Sequence, residues 1–185
     1  MSEESLAGRL LVASPALGDP TFQRAVILVL DHDEDGTLGV VINRPTPVPV
    51  ADVLPDWQPY TSGPGVVFQG GPVALDSALA LASVPGGGEP LGWRRVVGGL
   101  GLVDLDAPPE VLVPELAAMR IFAGYAGWSA GQLDMELEQR AWYVVDSEPG
   151  DVFTTDPTAL WRAVLRRQRG DLAFVSTYPE DPSLN

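Results

Sequence analysis

Residues 25–31 read AVILVLD, six apolar side chains closed by an acid. A run so short and so rich in β-branched residues is a strand. Without polar alternation it is a strand buried on both faces. HDEDG follows, then TLGVVINRP at 37–45. Two apolar β runs around an acidic turn ending in glycine make a hairpin. A chain built on this hairpin has to cover it from both sides.

The remaining elements are short. Strands are expected at 6–13 around GRLLVAS, at 66–73 (VVFQGGPV, meeting a Gly-Gly-Pro turn) and at 78–83 (ALALAS, whose periodicity also permits a helix). GLVDL, MRIFAGYAG, AWYVVD at 141–146 and LAFVS read as further strands. Pro45, Pro47 and Pro49 end the first hairpin, and a helical turn follows near Ala51 to Leu54. PGGGEPLGWRRVVGG reads as a loop and a hairpin. PPEVLVPELAAM reads as a helix with Pro109 in its first turn.

Ser129 to Gln132 fits a capping box, so a helix is expected to start at Ser129. Leu133, Leu137 and Ala141 give it a core stripe. Asp156 and Pro157 open another helix, with Leu160, Trp161, Val164 and Leu165 on its apolar face and Gly170 at its stop. The sum, about eight strands and three or four helices without regular alternation, predicts an α/β fold of mixed α+β character. It is a mixed sheet packed with helices, expected as a single domain over 1–185.

Charge and composition remove several functions. The chain has no cysteine, which excludes disulfides, thiolate catalysis and Cys-based zinc sites. Net charge is -14 and every basic residue is Arg, so a phosphate backbone would be repelled and direct nucleic-acid binding is not expected. The cluster Arg162, Arg166, Arg167 and Arg169 reads as a solvated helix end, favoured there by the helix dipole. The N-terminal stretch is acidic where a signal peptide is basic, and no run reaches the ~18 apolar residues of a membrane span. A cytoplasmic protein without membrane contact is expected.

Several motifs invite chemistry. GWSAG, Gly127 to Gly131, matches G-x-S-x-G between a strand and a helix. Yet the only histidine, His32, lies far upstream and no lysine exists, so Ser129 reads as a helix cap rather than a nucleophile. The spacing of Gly124, Gly127 and Gly131 is not a dinucleotide fingerprint, and Asp134 and Glu136 disfavour a bound phosphate. DHDEDG opens like a calcium loop but has Ile42 where a bidentate Glu is needed, so it reads as a hairpin turn. Asn43-Arg44-Pro45 and Gly70-Gly71-Pro72 both end strands, where ligands of mixed α/β folds often sit.

The stretches LLVASPALGDPTFQRAVILVLDH, LGVVINRP, VFQGGPV and GYAGWSAGQLDMELEQRAW, with the helix around Trp161, resemble the YqgE/AlgH family of small bacterial cytoplasmic proteins. The resemblance covers nearly the whole chain. It implies a sandwich-like fold with a smaller lobe from the middle of the chain, within 72–118, and no known reaction. Some members are named as regulators of transcription. Two positions depart from the family. Arg140 stands where many members have Asn, and ALALA carries no His where members often show Leu-His.

A non-enzymatic binding or regulatory protein is the favoured reading, acting through a small ligand or a protein partner. Its groove would be lined by Asn43, Arg44, Gly70, Gly71, Tyr125, Trp128 and Gln132. No cofactor or metal is implied. The alternative is an enzyme that uses Arg44 with a carboxylate of raised pKa in the same groove, from among Asp19, Asp31, Asp134 and Glu136.

Overall fold

The hairpin at 26–41 lies at the centre of one half of the sheet. In the computed structural model, which describes residues 5–179, it is β2 (Val26–Asp33) and β3 (Gly36–Val41), joined at the pair Asp33↔Gly36. β1 (Arg9–Ala13) pairs antiparallel with β2, and β10 (Trp142–Asp146) with β1. On the other side, β3 pairs with the end of β9 (Ala118–Ser129), whose 12 residues run on into the second half.

That half contains β4 (Pro45–Pro49), β5 (Val66–Gln69), β6 (Val73–Ser83), β7 (Trp93–Val97) and β8 (Leu100–Val103). The sheet order is β10-β1-β2-β3-β9-β6-β8-β7, with β5 and β4 branching from β9. Only the β5–β9 pairing is parallel. The helices are α1 (Pro109–Leu112), α2 (Gln132–Glu138), α3 (Leu160–Arg166) and α4 (Asp171–Val175). No helix among the described residues is long and apolar enough to cross a membrane.

Alternation explains why β2 carries no polar residue in its first half. Leu10, Val12, Val26, Leu28, Val40 and Ile42 enter an inner core with Phe68, Phe122 and α3. Leu11, Ala13, Ile27, Val29 and Val41 enter a second core, under α2. Burial of each large aliphatic side chain stabilises by about 1.5–3 kcal/mol relative to exposure. A third core, drawn from Val50 to Ile121, fills the far face of the second half.

β9 serves all three. Met119 and Ile121 face the third core and Phe122 the inner one, but Ala126 and Trp128 face the α2 core. Even-numbered residues therefore change core across Gly124. That residue has φ +77°, and a Cβ there would lie 2.5 Å from the Gly71 carbonyl oxygen. Opposite it, β6 bulges between Val73 and Ala78.

Several local expectations are corrected. LAFVS is helix α4, because Leu172 and Val175 sit three apart and pack together on the inner core. β9 continues through Ser129, so α2 starts only at Gln132, after Gly131. PPEVLVPELAAM yields four helical residues and a 3-10 turn at Val113–Glu115. Pro114 cannot continue an α-helix, and Ala118 is already strand. The prolines 45–49 form β4 instead of ending pairing. β4 bonds only to β5, and an edge strand tolerates residues that lack an N–H.

Candidate functional site

Helix α2 is held to the sheet through Glu136. Its Oε1 accepts hydrogen bonds from the indole N–H of Trp128 (3.3 Å) and of Trp142 (3.0 Å). Its Oε2 accepts one from Gln132 Nε2 at 3.0 Å. Gln132 Oε1 in turn accepts from the Ser129 N–H at 3.0 Å and from its hydroxyl at 3.2 Å. The two indoles meet edge to face, 6.0 Å apart. The glutamine half of the capping box thus forms, while the Ser129 side chain caps no helix N–H.

The Asn-Arg-Pro turn has a different task. Asn43 Nδ2 donates to the Arg24 carbonyl (2.9 Å), and its Oδ1 accepts from the Val26 N–H (3.0 Å). Arg44 Nη2 donates to the Gln23 carbonyl at 2.7 Å. Together they brace a turn in which Arg24 takes φ +56°, a region that non-glycine residues seldom occupy. Burial holds the Arg44 pKa below its ordinary value, against nearby Asp19, which acts the other way. The Arg24 guanidinium lies 4.3 Å from the Trp161 ring centre and donates to the Tyr178 carbonyl at 2.7 Å.

Gly70 and Gly71 act through close approach. A Cβ on Gly71 would lie 2.2 Å from the Tyr125 carbonyl, and one on Gly70 would lie 2.4 Å from the Gly124 oxygen. The seven expected residues therefore fall into three groups. Asn43 and Arg44 grip the turn at 23–26; Gly70, Gly71 and Tyr125 mark a backbone crossing; Trp128 lies under α2, and Gln132 is its first residue. The first two groups join through the bond from the Gln69 N–H to the Arg44 carbonyl at 2.8 Å. Arg140 has φ +60°. Asparagine is enriched in that left-handed region, so the position answers to a turn.

Of the seven residues, Trp128 alone lines any of four of the best-formed surface hollows among the described residues. It does so in an open hollow beside the hairpin turn, together with Asp31, Asp33 and Asp35. A hollow of about 160 Å³ at the tip of the same hairpin is lined by His32, Thr37, Ser129 and Asp134. Distance along the chain had separated His32 from Ser129. The pairings His32↔Thr37 and Thr37↔Trp128 bring them to one cavity. His32 Nδ1 is 2.7 Å from the Thr37 hydroxyl. Among the described residues, no group of three or more His, Asp or Glu is placed to hold a metal ion.

A hollow of about 240 Å³ separates Val97, Leu100 and their turn from Pro149 and Phe153. The smallest of these four, about 20 Å³, is lined by Ser14, Gln23, Arg24 and Trp161 among others. The sequence reading missed Ser14, Arg24 and Trp161 as neighbours. Trp161 was legible as part of a helix face, but nothing local links it to the end of β1.

The arginines at the end of α3 divide. Arg167 makes a two-pronged bond to buried Asp151 (2.6 and 2.7 Å), which raises its pKa. Arg162 donates to the carbonyls of Ser176 and Tyr178. Only Arg166 and Arg169 are exposed, so the cluster is not a uniformly solvated helix end.

Comparison with known proteins places this arrangement. The model of a family described as AlgH-like matches residues 10–173. A UPF0301 protein of Streptomyces coelicolor is 70% identical over 98% of this chain and 96% of its own length. A UPF0301 protein of Thermobifida fusca is 52% identical over 100% and 98%. Among solved structures, the Corynebacterium diphtheriae protein DIP2367 superposes with a TM-score of 0.89 at 34% identity, covering 96% of this chain and 94% of that one. The solution structure of AlgH from Pseudomonas aeruginosa gives 0.69 at 28% identity, covering 97% of each.

Proposed function

The chain belongs to the AlgH-like family, and from that premise we propose that it is a non-enzymatic binding or regulatory protein working through a small-molecule or protein partner. One observation carries this reading. The polar side chains that its motifs offer for chemistry are engaged inside the fold. Glu136 accepts from two indoles and Gln132, Ser129 bonds Gln132, and Arg44 bonds the Gln23 carbonyl. The partner's contact in this reading runs along Asn43, Arg44 and Tyr125, with buried Gly70 and Gly71 shaping the backbone crossing beneath it and Trp128 and Gln132 supporting α2 beside it. Regulation of transcription, the role named for some family members, would be indirect, because a net charge of -14 opposes DNA.

A thermal-shift screen of the full chain against a metabolite library tests the binding reading. Saturable stabilisation without turnover is the expected result, and turnover of any stabilising compound would overturn it. A DNA mobility shift at low salt that disappears steeply as salt rises would overturn the indirect role.

The shared hollow of His32 and Ser129 favours a second reading, that of a cryptic enzyme. Under it, a fluorophosphonate probe labels Ser129 in the wild type and not in His32→Gln. Absence of wild-type labelling removes it.

A further inference from the structure

We propose that the hollow at the seam between the two ends of the sheet binds a small aromatic or branched aliphatic ammonium ion, its apolar body against Val97, Leu100 and Phe153 and its charged end beside Glu148. The site is separate from the contact along Asn43, Arg44 and Tyr125, so neither depends on the other. β7 and β10 stand at opposite ends of the strand order, yet the fold brings them together. Val97, the last residue of β7, lies against Gly8, just before β1: a Cβ on Gly8 would lie 2.7 Å from that of Val97. Ser147, just after β10, donates from its hydroxyl to the Gly8 carbonyl at 2.7 Å. The sheet thus curls until its ends meet at Gly8, and it leaves a hollow of about 240 Å³ beside that meeting. The mouth of a curled sheet is a preferred place for a small ligand.

Size and lining set the apolar part of the ligand. An apolar cavity of ~150 Å³ takes benzene, so this one holds a single ring or a branched chain with a short arm. Leu100 belongs to the inner core and Phe153 packs on it, so that core reaches the surface here. Val97 stays 37% exposed although it lies against Gly8. A ligand body of this size takes all three from water. Charge selects the other end. Glu148 is the one charged residue on the wall, and its side chain is 64% exposed. Its ion-pair partner is Arg167, at 3.3 Å. That guanidinium already holds buried Asp151 by two bonds of 2.6 and 2.7 Å. One cation between two carboxylates leaves this side negative. The other nearby arginines are offset: Arg9 pairs with Asp146 at 3.0 Å, and Arg95, which donates to the Gly98 carbonyl on the wall, lies 3.8 Å from Glu89. A chain of net charge -14 adds to the negative field. A cation is drawn to this opening and a carboxylate is repelled.

The test titrates the methyl-labelled full chain with phenethylamine, phenethyl alcohol and phenylacetate, which share a ring and differ in charge. The Val97 and Leu100 methyl resonances report. Saturable shifts there are expected with the amine, at a dissociation constant of about 1 mM. The alcohol should bind about threefold more weakly, and phenylacetate more weakly still. Glu148→Gln should bring the amine to the affinity of the alcohol and leave the alcohol unchanged. Val97→Phe, which fills the hollow, should abolish both. Should that change disturb the turn, Glu148→Gln, on an exposed side chain, still decides the matter. The proposal is overturned by the absence of a saturable shift, or by shifts that leave Val97 and Leu100 unmoved. Phenylacetate binding as tightly as the amine, or an amine preference that survives in Glu148→Gln, does the same. None of these results bears on the contact along Asn43, Arg44 and Tyr125.

Discussion

The guanidinium of Arg120 lies 4.4 Å from the centre of the Phe68 ring, deep in the protein. Arg120 is 1% exposed and makes no ion pair among the described residues. It donates to the carbonyls of Val152 (2.6 Å), Thr154 (3.0 Å) and Gly63 (2.7 Å). Burial lowers its pKa to about 10. One side chain thus ties the start of β9 to two distant loops. Arg120→Met keeps much of the volume but leaves those carbonyls without a donor. A loss of about 3 kcal/mol in urea unfolding is expected. A loss below about 1 kcal/mol would mean that the loops rehydrate freely.

Glu136→Ala should cost about 2 kcal/mol, because the indoles of Trp128 and Trp142 both lose their acceptor. Near-ultraviolet circular dichroism should change as well, since the two rings are fixed edge to face at 6.0 Å. An unchanged spectrum with unchanged stability would show that aromatic packing alone holds α2.

Gly124→Ala tests the switch in β9. The substitution places a Cβ 2.5 Å from the Gly71 oxygen at a φ of +77°. A loss of at least about 2 kcal/mol is expected, read as a lower midpoint of unfolding. A wild-type midpoint would mean that β9 can change faces without glycine.

Tyr143 supplies a pH dependence. Burial, and to a smaller extent Tyr178, raise its pKa above the ordinary 10.0. The folded state then keeps a proton that the unfolded chain has lost. Its contribution is full below pH 10.0 and is lost as pH rises through the folded value. Tyr143→Phe should therefore gain stability relative to wild type on passing above pH 10.0, measured by urea midpoints on both sides. Arg120 has the opposite sign. Its penalty is present below about 10 and is relieved as pH rises above that value, so the residue must be kept the same in both chains compared.

Some of this architecture was readable from neighbouring residues. AVILVLD had to be a strand covered on both faces, and its acidic turn had to be a hairpin, because hydrophobic period and turn chemistry act within a few residues. Residues 78–83 read as a strand although their period also permits a helix, whereas the helix at Leu160–Arg166 followed from that same rule. The five residues of α4 did not, since an apolar run of that length fits either period. The groove residues were visible as motifs, but motifs do not say which way a side chain turns.

The sequence by itself determined most of the strands, that the central hairpin is covered on both faces, and which family the chain joins. Tertiary structure alone decided the rest. It set His32 beside the hollow of Ser129 and placed Arg120 among three carbonyls. Each relationship joins residues far apart in the chain. What fixes them is the register of β3, β9 and β6 and the change of face at Gly124, a long-range geometry that no local period encodes.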